Sequence, residues 1–209
     1  MTGFVDSEAI ADGSSSRRQR RGRETGIVLL LAVAAGLVFL DRIGIAFVFP
    51  AIRDELGLSN AQLGMSMAVT SIAWAFSTII FCFLSDVLGG RAKLFVVLSL
   101  VAFSVATALI GLAYSFAALL AIRALIGALE GPAIPLMQSI VARISSPHRV
   151  GLNLGIVTGG LGLLGGALPP VLMVGLAASF GWRGAFFVLA VPGFLLAVLV
   201  AWLVERDPI

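Results

Sequence analysis

Residues 123–135 read Arg-Ala-Leu-Ile-Gly-Ala-Leu-Glu-Gly-Pro-Ala-Ile-Pro, which sets two full charges, Arg123 and Glu130, inside an apolar run too long for a soluble core helix. The two are seven residues apart, about two helical turns, so they share one face at different depths. A charged side chain at the centre of a bilayer costs roughly 2.5–3.5 kcal/mol on insertion scales, and such residues face a bundle interior or a water-filled cavity. A helix carrying an Arg and a Glu down one side therefore lines something wet inside a membrane.

The rest of the chain agrees. Of its 209 residues 59% are hydrophobic and only 12% charged, with a mean hydropathy of +1.08, which lies outside the soluble globular range. Crossing roughly 30 Å of hydrocarbon takes about 20 apolar residues. Six such runs are present, near Gly26 to Pro50, Ala61 to Leu84, Leu94 to Tyr114, Phe116 to Val141, Val150 to Phe180 and Gly184 to Val204. The first is too long for the apolar core of a cleavable signal and carries Asp41 and Arg42 in its outer half, so it reads as a spanning helix.

Charge sets the orientation. Ten of the fourteen basic residues fall on one side: Arg17, Arg18, Arg20, Arg21 and Arg23 before the first span, Arg91 and Lys93 after the second, Arg143 and Arg149 after the fourth, and Arg206 after the sixth. Only Arg53 and Arg183 fall on the other, while Arg42 and Arg123 lie within spans. By the positive-inside rule both termini are cytoplasmic, and the basic block reads as a topogenic signal beside anionic headgroups rather than a nucleic-acid site. Residues 1–24 are polar, Ser- and Arg-rich and without apolar periodicity, which predicts a disordered tail. A six-helix bundle follows over residues 25–205, and residues 206–209 begin a further cytoplasmic stretch, so the chain reads as truncated.

Counting back from Pro50 at 1.5 Å per residue puts Asp41 about 13 Å below the outer end of its span, and the same count puts Arg123 about 10 Å below the outer end of the fourth. A buried acid and a buried base at one level are expected to pair, because each alone carries an uncompensated desolvation penalty. Between spans two and three, Asp86-Val-Leu-Gly89-Gly90-Arg91 reads as a tight reversal, with Asp86 and Arg91 bonding across it or merely solvated. In span five, Gly151, Gly155 and Gly159 recur every fourth residue, a spacing that lets helix backbones approach. The single Cys82 forbids an internal disulfide, and no nucleophile with a base, metal-ligand cluster or phosphate loop is visible, so neither enzymatic function nor a cofactor is expected.

These residues carry a resemblance. Asp41 and Arg42 with Pro50, the loop Asp86, Gly89, Gly90 and Arg91, and Arg123, Gly127, Glu130, Pro132 and Pro135 together resemble the N-terminal half of a major facilitator superfamily transporter, and most closely the anion:cation symporter family, over about Gly26 to Pro208. The resemblance implies an all-α fold of six transmembrane helices arranged as a three-plus-three inverted repeat, half of a twelve-helix protein. It also implies secondary active, proton- or sodium-coupled symport of a small organic anion by alternating access. Arg42 and Arg123 would then neutralise a substrate carboxylate, Asp41 and Glu130 would take up the coupling proton, and Asp86, Gly89, Gly90 and Arg91 would form a gating loop. The implied partners are the anion, the cation, the lipid of a cell inner or plasma membrane, and a C-terminal six-helix half or a second copy of this chain. Charged positions in the first helix of each triplet fit an inverted repeat with its site at the interface. Two other readings fit the residues as well, a membrane scaffold whose charges are structural and an inactive truncated product.

Overall fold

A computed structural model describes residues 6–204, with side chains from Arg21 onward. The described backbone is helical almost throughout: α1 (Asp6–Leu56), α2 (Asn60–Val87), α3 (Ala92–Ile110), α4 (Phe116–Glu130), α5 (Ala133–Ile144), α6 (Val150–Gly160), a π-helical segment (Leu161–Ala167) and α7 (Pro169–Leu203). Among the described residues six helices are long and apolar enough to cross a membrane. α4 and α5 make one broken span, and α7 is two helices joined at Gly181, whose φ of +72° lies where only glycine sits without strain. Residues 169–180 therefore continue the fifth span out of α6 and the π-helical segment, and residues 182–203 form the sixth.

The tail differs from the disordered segment expected over residues 1–24. Residues 1–5 lie outside the described residues, as do residues 205–209 and with them the stretch expected to begin at 206, but from Asp6 the backbone is already helical and continuous with the first span. Once a span has nucleated a helix, each further turn costs only propagation, and Ala, Arg and Glu are willing helix formers. Local chemistry sets other boundaries too. Ser59 caps α2 through a capping box, accepting from the Gln62 amide at 3.3 Å while the Gln62 side chain accepts from the Ser59 amide at 2.7 Å, and Ser115 caps α4 through the Ala118 amide.

Helix packing follows the repeat. Span one packs on span five, span four on span two and span three on span six, while α3 also touches α4 and α1 touches α7. Exchanging the first triplet for the second maps the pair of spans one and five onto that of four and two and the pair of three and six onto itself, as a three-plus-three inverted repeat requires. Close approach is bought by glycine at particular crossings. A Cβ on Gly127 would run into the Thr70 carbonyl of α2, one on Gly160 into the Ala32 carbonyl of α1, and one on Gly165 into the Phe39 side chain at 2.7 Å. The every-fourth-residue stripe is different: a Cβ at Gly151, Gly155 or Gly159 meets nothing within 4 Å. The stripe therefore faces away from this bundle, and the glycines that admit α1 lie on the adjacent face.

Two polar ties fasten the two ends of the first span. On the outer side Arg183 donates to Glu55 from Nε (3.1 Å) and Nη2 (2.8 Å), while its Nη1 reaches the Gly111 and Ala113 carbonyls at 2.8 Å each. Its guanidinium lies over the rings of Trp182 (4.2 Å) and Tyr114 (4.4 Å). On the inner side the Glu24 carboxylate, placed by sequence in the unstructured tail, is buried. It accepts from Ser146 at 2.9 Å and from Asn153 at 2.7 Å, with Arg149 at 3.7 Å.

Candidate functional site

Asp41 on α1, Arg123 and Glu130 on α4 and Thr107 on α3 meet in the middle of the bundle, each with 0% exposure. Arg42 adds a further charge that acts on Arg123 and Glu130, and every polar atom buried there needs an account of its partner. Thr107 Oγ1 donates to Asp41 Oδ1 at 2.9 Å. Arg123 Nη2 donates to the backbone carbonyl of Arg42 at 2.8 Å. The remaining polar atoms, Asp41 Oδ2, both oxygens of Glu130, and Nε and Nη1 of Arg123, are buried without a hydrogen-bond partner among the described residues.

This corrects the expected direct pairing of Asp41 with Arg123. The two lie close enough for the guanidinium charge to act on the carboxylate, and it acts on Glu130 as well. Nevertheless, the one bonded nitrogen of Arg123 is spent on a main-chain oxygen. Equal depth in the membrane does not fix the direction in which a side chain leaves its helix, and Arg123 finds the carbonyl one residue beyond Asp41. The Glu130 carboxyl instead lies within side-chain reach of Asp41. Two carboxylates only repel, whereas a proton on either oxygen turns that group into a donor and lets the pair bond. The cluster can thus hold a proton between two acids beside an arginine that still has donors to offer.

Arg42, the residue after Asp41 on α1, is half-buried and leans toward α2, where Nη2 donates to Ser71 Oγ at 3.0 Å and the guanidinium covers the Trp74 ring at 4.8 Å. Trp74 Nε1 is buried and has no partner. Ser71, Trp74 and Thr107 had no signal in the sequence, since a hydroxyl or indole in an apolar helix becomes informative only when the register between helices is known.

The loop residues behave as a turn. Gly89 (φ +82°) and Gly90 (φ +70°) take conformations that side chains resist, and the reversal is closed by main-chain bonds from Gly89 to Asp86 (3.1 Å) and from Gly90 to Ser85 (2.9 Å). Asp86 and Arg91 are both exposed. Arg143 of α5 reaches across to the Gly90 carbonyl at 3.4 Å, so the loop is fastened to the fourth span by a residue outside the quoted motif.

Comparison with known proteins places this architecture. The profile of the Major Facilitator Superfamily matches residues 31–209. A hexuronate transporter of Bacillus subtilis is 32% identical over 184 residues, covering 87% of this chain and 42% of the relative. A probable sulfoacetate transporter of Cupriavidus necator is 32% identical over 82% of this chain and 39% of its own length, and a probable L-galactonate transporter of Escherichia coli is 29% identical over 90% and 41%. Among solved structures, a bacterial homologue of the human lysosomal transporter Spinster, inward-facing and unoccupied, superposes with a TM-score of 0.80 at 24% identity, covering 89% of this chain and 44% of that one. The chain thus spans about two fifths of the length of the curated relatives it matches. Six apolar spans paired as an inverted repeat, with this match across nearly the whole bundle, make the chain a multi-pass membrane protein of the Major Facilitator Superfamily, corresponding to its N-terminal half.

Proposed function

We propose that the chain is one half of a secondary active transporter that carries a small organic anion, a sugar acid or another carboxylate, together with a proton by alternating access. The observation that carries this reading is the buried cluster of Asp41, Arg123 and Glu130 beside Arg42, whose acids and guanidinium keep unpartnered atoms. Arg42 and Arg123 are the anion-binding pair, with a planar fork for each edge of a carboxylate. Asp41 and Glu130 are the proton sites, and an arginine neutralised by substrate alters how strongly each acid holds its proton, which couples the two loads. The relatives named for hexuronate, sulfoacetate and L-galactonate all point to acidic cargo. The second wall of the cavity comes from a C-terminal six-helix half or a second copy of this chain. The assembly lies in a cell inner or plasma membrane with both termini cytoplasmic, and the loop of Asp86, Gly89, Gly90 and Arg91 gates on that side.

The test is uptake of labelled hexuronate, galactonate and sulfoacetate by proteoliposomes that hold this chain with a second six-helix half, under an imposed proton or sodium gradient. Accumulation that follows the proton gradient and collapses with a protonophore is the expected result. Accumulation driven by sodium alone would replace the coupling ion, and no uptake of any organic anion under either gradient would overturn the transport reading.

A further inference from the structure

The fourth span breaks at Gly131 and Pro132, one residue beyond Glu130. Two prolines cause a specific hydrogen-bond deficit there. In a continuous helix the Ala128 carbonyl would accept from the amide of residue 132 and the Gly131 carbonyl from that of residue 135, but both positions are proline and have no N–H. Two carbonyls buried among apolar helices would thus be left without donors, at a cost comparable to a lost hydrogen bond each.

Neighbouring hydroxyls of α2 reach those two oxygens. Ser77 Oγ donates to the Ala128 carbonyl, and Thr78 Oγ1 lies 2.8 Å from the Gly131 carbonyl. The approach depends on glycine, because a Cβ on Gly131 would sit 2.8 Å from both the Ser77 Cβ and the Thr78 amide. Thr78 has a further property. Its Oγ1 is also 2.7 Å from the Trp74 carbonyl of its own helix, and a hydroxyl has one proton to donate. It can serve α4 or fall back on α2, where the Trp74 carbonyl is a helix acceptor that does not depend on it.

We propose that Ser77 and Thr78 form a hydroxyl clasp that replaces the two helix hydrogen bonds removed by Pro132 and Pro135, and that this clasp positions Glu130 and governs the bend between α4 and α5. The two residues are positioning residues, acting on Glu130 through the backbone of the break. With Thr78 bonded across, both carbonyls are satisfied and the bend is held. With its proton turned to Trp74, the Gly131 carbonyl is released and the bend is free to change. The first half of the inference stands on hydrogen bonding alone, whereas the significance of Glu130 for proton coupling rests on the transport reading above.

Double-mutant cycles on the full 209-residue chain in detergent separate the two. Ser77→Ala is combined with Pro132→Ala, and Thr78→Val with Pro135→Ala, because each alanine returns the amide that the hydroxyl replaces. Each hydroxyl loss lowers the thermal midpoint by several degrees in the parent chain and by far less with its matching proline removed, while the crossed pairs, Ser77→Ala with Pro135→Ala and Thr78→Val with Pro132→Ala, are additive. Should Ser77→Ala prevent purification, Pro132→Ala restores it. Additive matched pairs, or a failed rescue, would overturn the clasp. For the positioning role, the rate of dicyclohexylcarbodiimide labelling at Glu130 is followed by mass spectrometry. It changes about fivefold in Thr78→Val, the factor that one net hydrogen bond carries, and keeps the parent rate in Thr78→Ser, which retains the donor. Matched-pair coupling with an unaltered labelling rate would overturn the positioning of Glu130 and leave the clasp purely structural. Neither readout requires transport, so a failure of anion uptake bears on the transport reading and not on this one.

Discussion

Replacing Arg183 by lysine keeps the charge and removes the fork, and the outer tie makes the consequence calculable. The guanidinium spends two N–H groups on Glu55 and a third nitrogen on the Gly111 and Ala113 carbonyls, and it lies over two aromatic rings. An ammonium reaches Glu55 as a point charge and leaves the two carbonyls at the end of α3 without a donor. With 23% of the Arg183 side chain and 48% of that of Glu55 exposed, water screens the ion pair, which is the minor part of the tie. The carbonyl bonds contribute about 1 kcal/mol together once water competes for them, and the stacking about another 0.5–1 kcal/mol. Arg183→Lys should therefore cost about 2 kcal/mol, and Arg183→Ala more, since it also loses the charge. For a chain of this length that is a loss of roughly 4–8 °C in the midpoint of the lysine variant, read by circular dichroism of the purified protein in detergent. Because the carbonyl and ring contacts involve no exposed partner charge, about 1 M salt should lower the parent midpoint by far less than the lysine substitution does. A lysine variant that melts together with the parent at low and high salt would refute the argument that fork geometry, rather than charge, fastens α1 to α3.

Other outcomes follow from the same structure. In the transporting assembly, Arg123→Lys should weaken anion affinity by about tenfold or more, since one bidentate carboxylate contact becomes a point contact, and unchanged affinity in equilibrium binding would make Arg123 purely structural. Glu130→Gln and Asp41→Asn should lose gradient-driven accumulation while at least one of them keeps counterflow exchange, because an amide preserves shape but cannot cycle a proton. Accumulation as steep as in the parent would exclude the altered acid from coupling. Gly127→Ala should destabilise the chain by about 1–3 kcal/mol by driving a methyl group into the Thr70 carbonyl, and a parent-like melting curve would contradict the α2–α4 spacing. A tag after residue 209 should be shielded in intact cells and labelled in inverted vesicles, whereas labelling from outside would reverse the topology.

What could be read from sequence is what composition and length determine. The spans were legible because runs of about 20 apolar residues have few alternatives, and Asp41, Arg42, Arg123 and Glu130 stood out because a charge within such a run is conspicuous. Depth counted along each helix put Asp41 and Arg123 at one level. Azimuth did not: that Arg123 turns to the Arg42 carbonyl, and that Thr107 rather than an arginine holds Asp41, depends on how α1, α3 and α4 are rotated against one another. Glu24 shows the same limit at the inner surface, since its burial is created by Ser146 and Asn153, 122 and 129 residues away in sequence. The break after Glu130 was not read from the sequence, where Phe116 to Val141 counted as one run although Pro132 and Pro135 stand in it, and the α2 side chains that complete the break carry no mark of that role.

The connections between helices set a mechanical limit. Three residues join α1 to α2, four join α2 to α3, five join α3 to α4, five join α5 to α6, and a single glycine separates the last two spans. An extended residue reaches at most about 3.3–3.6 Å, so the three-residue connector between α1 and α2 spans only about 13–14 Å fully stretched, little more than the roughly 8–10 Å that separates packed helix axes. The linkage has little slack, and the spans cannot slide far past one another without breaking their caps. Displacement of this unit is left with two routes: it swings as one body, or it flexes inside a span, at residues 131–132 and at the π-helical turn of residues 161–167, where a helix changes direction without asking any loop for extra length.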